Sequence, residues 1–170
     1  MESAAKGANN VLEQKPILDV ACGGKMFYFD KHDPRVLFCD NRMFKTKLCD
    51  GREFTVEPDL VCDFQQLPFD DETYAVVVFD PPHLKRNPKG HSPTGWQHIK
   101  YGELHEDWQK MLESGFKECF RVLKPNGVLI FKWSEIEIPV CDVLKCTNAK
   151  PVFGHKSGKR NLTHWLCFVK

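Results

Sequence analysis

Four short apolar runs in the first half of the chain each close on an aspartate: Ile17-Leu18-Asp19-Val20, Val36-Leu37-Phe38-Cys39-Asp40, Leu60-Val61-Cys62-Asp63, and Tyr74 to Phe79-Asp80. Their hydrophobicity is continuous rather than alternating, which is the pattern of strands covered on both faces in a parallel α/β sheet. Two further runs, Gly127 to Trp133 and Thr163 to Val169, extend the series. Between the fourth and fifth runs the spacing predicts one long helix, from Leu104 to Leu123. There Leu104, Trp108, Met111, Leu112, Gly115, Phe116, Cys119, Phe120 and Leu123 recur every three or four residues. Lys124-Pro125-Asn126-Gly127 ends it. The crossover after Gly24 leaves room for a helix of little more than about two turns. The polar, hairpin-like stretch Gly154 to Asn161 points to an antiparallel C-terminal edge. The expected architecture is α/β, a single doubly wound, mostly parallel sheet of the seven-stranded type with an antiparallel C-terminal edge strand. Such a sheet takes its ligands beyond the carboxyl ends of its strands, so Asp19, Asp40, Asp63 and Asp80 would share one rim. A turn or cap role suffices for any one of them. Four on one rim point to a site.

A chain of 170 residues supports one well-buried core and is short for two domains. We therefore expect an N-terminal extension over 1–15 and a single domain over 16–170, with a loop or lid at 84–103. No apolar run approaches the roughly 18 to 20 residues that span a bilayer, so no membrane partner is expected. The first residues lack the basic-then-apolar design of a secretory signal, which points to the cytoplasm. The eight cysteines form no CxxC pair, as zinc ribbons require, and several lie inside apolar runs as small hydrophobes. The spacing of His91, His98 and His105 is broken by Pro93 and Gly95. No metal is expected. A net charge of +1 announces no nucleic-acid partner by itself, but Lys85, Arg86, Lys89 and Lys100 form a local basic segment without a carboxylate.

The first run opens into Asp19-Val20-Ala21-Cys22-Gly23-Gly24, where small residues let the backbone approach a ligand and a carboxylate can accept from an ammonium. Asp40, at the end of the second run, is placed to bind the two hydroxyls of a ribose. The GxGxxG pattern that seats a pyrophosphate is absent, which argues against a dinucleotide oxidoreductase. Asp63-Phe64 could serve an adenine, the one by hydrogen bonding and the other by its ring. ILDVACGG, LFCD, CDFQQLPFDDETYAVVVFD and GFKECFRVLKPNGVLIFKW, in this order, resemble the motifs of class I, Rossmann-like S-adenosylmethionine-dependent methyltransferases, over Ile17 to Trp133. The resemblance implies S-adenosyl-L-methionine as cofactor and Asp19, Ala21, Cys22, Gly23, Asp40, Asp63 and Phe64 as its binding residues. The bulky Lys25 to Asp30 departs from that family's first motif. It would either pack a shortened helix or place Met26 or an aromatic neighbour at the methionine end of the cofactor.

Asp80-Pro81-Pro82-His83 follows the fourth run, and its two prolines stiffen the backbone. An amino group conjugated to a ring is a poor nucleophile because its lone pair is delocalised. A carboxylate and a carbonyl accepting its N–H bonds favour the pyramidal form, and positioning then drives an in-line displacement. DPPH resembles the (D/N)PP(Y/F/W) motif of amino-methyltransferases. By that resemblance Asp80 binds the amino group, Pro81 lends its carbonyl, and His83 stands where an aromatic ring stacks on the target base, with Pro82 beside it. Leu84 to Tyr101 has the composition of a long loop, in which Lys85, Arg86, Lys89 and Lys100 could clamp phosphates and Trp96 and Tyr101 could stack a base. Lys132-Trp133 ends the fifth run beside Asp80 in the expected strand order.

These residues imply an N-methyltransferase whose acceptor is an exocyclic amino group of a nucleic-acid base, adenine N6 of DNA first and of RNA second. The chain leaves no residues for a separate recognition domain, so a short target, broad specificity or a protein partner would be needed. A methyltransferase for a small molecule or a protein side-chain amide fits the same Asp80 geometry. A non-catalytic partner subunit of the same fold would not need Asp19, Asp40 and Asp80 intact.

Overall fold

The computed structural model describes residues 15–85 and 95–170, without the side chains of 95 and 96. Among the described residues nine strands run in chain order: β1 (Ile17–Asp19), β2 (Val36–Asp40), β3 (Phe44–Lys47), β4 (Glu53–Val56), β5 (Leu60–Val61), β6 (Tyr74–Phe79), β7 (Leu123–Ser134), β8 (Phe153–Ser157) and β9 (Thr163–Val169). The helices are α1 (Gly95–Tyr101), α2 (Trp108–Val122) and the single turn α3 (Val140–Val143), which runs into a 3-10 turn at Leu144–Cys146. Seven strands form one sheet in the order β5-β2-β1-β6-β7-β9-β8, and β3-β4 form a separate antiparallel hairpin. Pairing is parallel from β5 through β7, while β9 runs antiparallel to both β7 and β8.

Burial explains the continuous apolar runs. All five residues of β2 are buried, because the strand is covered on both faces. One face carries the main core, in which Leu18, Leu37, Val77, Phe79, Leu129, Phe131 and Phe168 meet Leu112, Phe116, Cys119 and Val122 of α2. Gly115 permits this close approach. A Cβ there would lie 2.7 Å from Phe79 Cζ and 2.9 Å from Phe64 Cδ2. Gly115→Val is therefore expected to destabilise the fold by about 2 kcal/mol or more, read as a lower urea midpoint at unchanged slope. On the opposite face a smaller cluster of Cys22, Val36 and Phe38 packs with Ile17 and Tyr28.

Several sequence expectations are corrected. Helix α2 begins at Trp108 rather than Leu104, because the Leu104 N–H is committed to the Leu84 carbonyl at 2.7 Å, outside any helix. Leu104 instead forms an isolated parallel bridge with Lys85 and reaches the core from extended backbone. No helix follows Gly24; residues 20–35 are turns and bends, with Gly23 and Lys25 both left-handed. Leu84 to Tyr101, read as a loop, contains α1, and residues 86–94 lie outside the described residues. β7 begins at Leu123, with an irregular register between Tyr74↔Leu123 and Val76↔Val128 where Lys124 to Gly127 intervene. No helix among the described residues is long and apolar enough to cross a membrane.

Candidate active site

The parallel register sets the rim. β1 pairs in step with β2 on one side and β6 on the other, so Asp19, Asp40 and Asp80 end three adjacent strands at the same edge. Asp19 is fully buried. Its Oδ1 accepts the Ala21 N–H at 3.1 Å and its Oδ2 accepts the Tyr28 hydroxyl at 2.8 Å. Burial pushes this carboxyl up to about 7, further than those two hydrogen bonds pull it down, and the nearby Asp80 and Asp40 add to the rise. No cation contacts Asp19 among the described residues, so an ammonium would supply the counter-charge it lacks.

Asp40 holds the glycine turn. Its Oδ2 accepts the Gly23 N–H at 2.8 Å, and its Oδ1 accepts both the backbone N–H and the Nε of Arg42 at 3.0 Å. Arg42 also donates from Nη1 to the carbonyl of Ile99 in α1, at 3.3 Å. For ribose hydroxyls to reach Asp40, the Arg42 guanidinium must yield. Asp40→Ala is expected to weaken S-adenosylhomocysteine binding about tenfold or more by calorimetry, since hydrogen bonds to a charged group are worth about 1.5–3 kcal/mol.

On the neighbouring strand ends Asp80 pairs with Lys132 of β7, Nζ to Oδ2 at 2.5 Å. The register Phe79↔Phe131 places the two side by side. Burial raises the Asp80 carboxyl, and the charge and hydrogen bond of Lys132 counter the rise. His83 is buried, with its ring 5.1 Å from Tyr101 and 6.3 Å from Trp133. Burial first and Lys132 second push it down to about 4, so the imidazole is neutral near pH 7. One cleft of about 420 Å³, mouth included, joins both sides. Its lining includes Ala21, Cys22, Gly23, Met26 and Phe27 with Asp80, Pro81, His83, Tyr101 and Lys132.

Other expected residues stand elsewhere. Asp63 is exposed and accepts from the backbone N–H and side-chain amide of Gln65. Phe64 does not offer its ring to an adenine: it is buried in the core, edge-on to Phe79 at 5.1 Å. Trp133 cannot touch an acceptor either. It is fully buried, donates from Nε1 to the Ile138 carbonyl at 2.9 Å, and supports His83 from below. Pro82 packs against Gly102, in a groove next to the cleft. Lys85 is exposed, with its backbone N–H bonded to Glu137 Oε2. Arg86 and the Trp96 side chain lie outside the described residues. Arg42 and the bond from Tyr28 to Asp19 were not anticipated, and Lys100, read as a phosphate clamp, lines the cleft. The eight cysteines are free, and no cluster of three or more His, Cys, Asp or Glu side chains among the described residues could hold a metal ion.

No family model matches the chain, and neither does any curated protein. Solved structures do. A protein of Pyrococcus horikoshii OT3 is 18% identical, with a TM-score of 0.54, over 97% of this chain and 90% of its own. The 1,6-didemethyltoxoflavin-N1-methyltransferase of Burkholderia thailandensis, solved with 1,6-didemethyltoxoflavin and S-adenosylhomocysteine, is 12% identical. Its TM-score is 0.51, over 98% of this chain and 76% of its own. The chain therefore has the Rossmann-like fold of class I methyltransferases. The strand order and the single reversed strand β9 are the features of that fold on which the candidate site is built.

Proposed function

We propose that this protein is an S-adenosyl-L-methionine-dependent N-methyltransferase acting on an amino group conjugated to a nucleic-acid base, adenine N6 of DNA first and of RNA second. The observation that carries the reading is the opening of Asp80, Pro81 and His83 into the same cleft as the Ala21-Cys22-Gly23 turn held by Asp19 and Asp40. Asp19 meets the ammonium of the methionine moiety, and Asp40 the ribose. When bound, the cofactor supplies a methyl group made electrophilic by its sulfonium. Asp80 accepts one N–H of the acceptor through Oδ1, which has no partner among the described residues, and the Pro81 carbonyl accepts the other. His83, neutral and buried, flanks the acceptor ring and can take up the proton that leaves the methylated nitrogen. Rigid positioning of these groups lowers the barrier without a covalent intermediate on the protein.

A second reading, a small heterocycle or side-chain amide as acceptor with the same residues in the same roles, is supported by the methyltransferase of this fold solved with 1,6-didemethyltoxoflavin. Incubation with methyl-labelled cofactor and separate DNA, RNA and small-molecule pools decides between them. Label in nucleosides after digestion supports the first reading, and label in small molecules alone overturns it. Absence of both label and S-adenosylhomocysteine binding would remove the methyltransferase reading altogether.

A further inference from the structure

Asp19 and Asp80 form an internal comparison. Both are carboxylates at the ends of the adjacent parallel strands β1 and β6, Asp19 fully buried and Asp80 partly so. Among the described residues only Asp80 has a cation in contact. Lys132 rises from β7 beside Asp80, and its ammonium also lies over the rings of Phe27, at 5.2 Å, and Trp165, at 5.6 Å. Three walls thus hold this ammonium in place, and Phe27 and Trp165 brace each other edge-on at 5.1 Å. Among the described residues, Lys132 is the counter-charge that Asp80 has in contact. Asp19 from β1 is a carboxyl, Tyr28 and Cys22 from the 20–35 segment are neutral, and His83 is uncharged near pH 7. Arg42 is committed to Asp40, while Lys100 and Tyr101 of α1 line the same cleft.

We propose that Lys132 is a positioning residue that keeps Asp80 a hydrogen-bond acceptor and makes the pocket selective for a neutral, conjugated amino or amide nitrogen over an alkylammonium. This rests on the methyltransferase reading for its chemistry, though not for its electrostatics. A protonated carboxyl would present a donor to the acceptor's N–H and leave the nitrogen lone pair delocalised. With Lys132 removed, Asp80 loses the cation whose charge and hydrogen bond oppose the effect of burial, and its carboxyl is driven further upward. The same ammonium neutralises the carboxylate, so a second ammonium approaching Asp80 would meet a like charge within a few ångströms. An uncharged amino group pays no such penalty and can share the carboxylate through Oδ1.

The test compares wild type, Lys132→Met, Lys132→Arg and Asp80→Asn by infrared difference spectroscopy and by pH profiles of methyl transfer. At pH 7 the Lys132→Met protein should show a protonated-carboxyl band that disappears in Lys132→Met/Asp80→Asn. Wild type and Lys132→Arg should lack this Asp80 band. Turnover of Lys132→Met should fall about tenfold per pH unit below its raised Asp80 midpoint, with Lys132→Arg restoring the wild-type profile. S-adenosylhomocysteine affinity within about threefold of wild type shows that the variants are folded. An unchanged carboxyl spectrum and pH profile in Lys132→Met overturns the role of Lys132. Equal labelling of alkylammonium compounds and aromatic amines by wild type at pH 7 overturns the selectivity. The infrared band is read without any acceptor, so its presence in a protein that transfers no methyl group would sink the enzymatic reading and leave the Lys132–Asp80 coupling standing.

Discussion

Asp80→Asn should lower methyl transfer by about a hundred- to a thousandfold while S-adenosylhomocysteine still binds within about threefold of wild type. The loss comes from the transition state. Positive charge develops on the attacking nitrogen as the new bond forms, and the partly buried Asp80 carboxylate, in the proposed pose, stabilises it more than it stabilises the neutral amine in the ground state. An asparagine keeps the size and one acceptor oxygen but not the charge, and its amide faces a lysine that has lost its counter-ion. Cofactor binding is spared because the Ala21-Cys22-Gly23 turn is held from the other side of the cleft, by Asp19 and Asp40. S-adenosylhomocysteine is the right probe, since its neutral sulfur does not feel the deleted charge as the sulfonium would. Removing Asp80 also removes one of the charges that raise Asp19, so the methionine end of the pocket gains rather than loses acceptor character. Turnover at the wild-type rate in Asp80→Asn, for any acceptor, would remove Asp80 from the chemistry.

The sheet was legible because its central strands are buried on both faces. Val36–Asp40, Tyr74–Phe79 and Thr163–Val169 occur at the bounds their apolar runs suggest. The rim was legible for the same reason, since a carboxylate directly after a fully apolar run must emerge at the strand end. The hairpin β3-β4 was passed over although its signal is present. Phe44-Lys45-Thr46-Lys47 and Glu53-Phe54-Thr55-Val56 alternate in period two around Asp50-Gly51, and Phe54 and Val56 are buried while Glu53 is exposed. Continuous runs hide the face to which each side chain turns. For that reason Trp133, on the α2 side of β7, was placed with its neighbour Lys132, which points the other way into the cleft. Phe64 was misplaced likewise, beside an Asp63 that does face solvent. Tyr28 and Arg42 were missed for another reason: each reaches the rim through a turn whose path no local pattern announces, Tyr28 to Asp19 and Arg42 to Asp40.

Cofactor affinity should depend steeply on pH, because Asp19, which we propose receives the ammonium, is itself held partly protonated near neutrality. Burial keeps the Asp19 carboxyl at about 7, against 3.8 for a free aspartate. An ammonium binds the carboxylate, not the acid, so below about pH 7 binding must first expel a proton. Affinity then falls about tenfold for each pH unit, or roughly a hundredfold between pH 8 and pH 5. Asp19→Asn should bind more weakly at pH 8 and show no such slope. Stability alone would not reveal this titration. A raised Asp19 binds more protons in the native state than in the unfolded chain, which favours folding at low pH and is lost as pH rises from about 4 to 7. His83, pushed down to about 4 from 6.5, acts in the opposite sense, since its protonation favours the unfolded chain and stability recovers as pH rises through the same interval. The two slopes offset each other in wild type. They separate in the ligand-binding profile, because the ammonium is expected at Asp19, whereas His83 faces the acceptor side. Calorimetric titration with S-adenosylhomocysteine at pH 5, 6, 7 and 8 reads the effect directly. A flat profile in wild type would show that the ammonium is bound elsewhere and that the acid at the end of β1 serves only to hold the Ala21 turn and Tyr28.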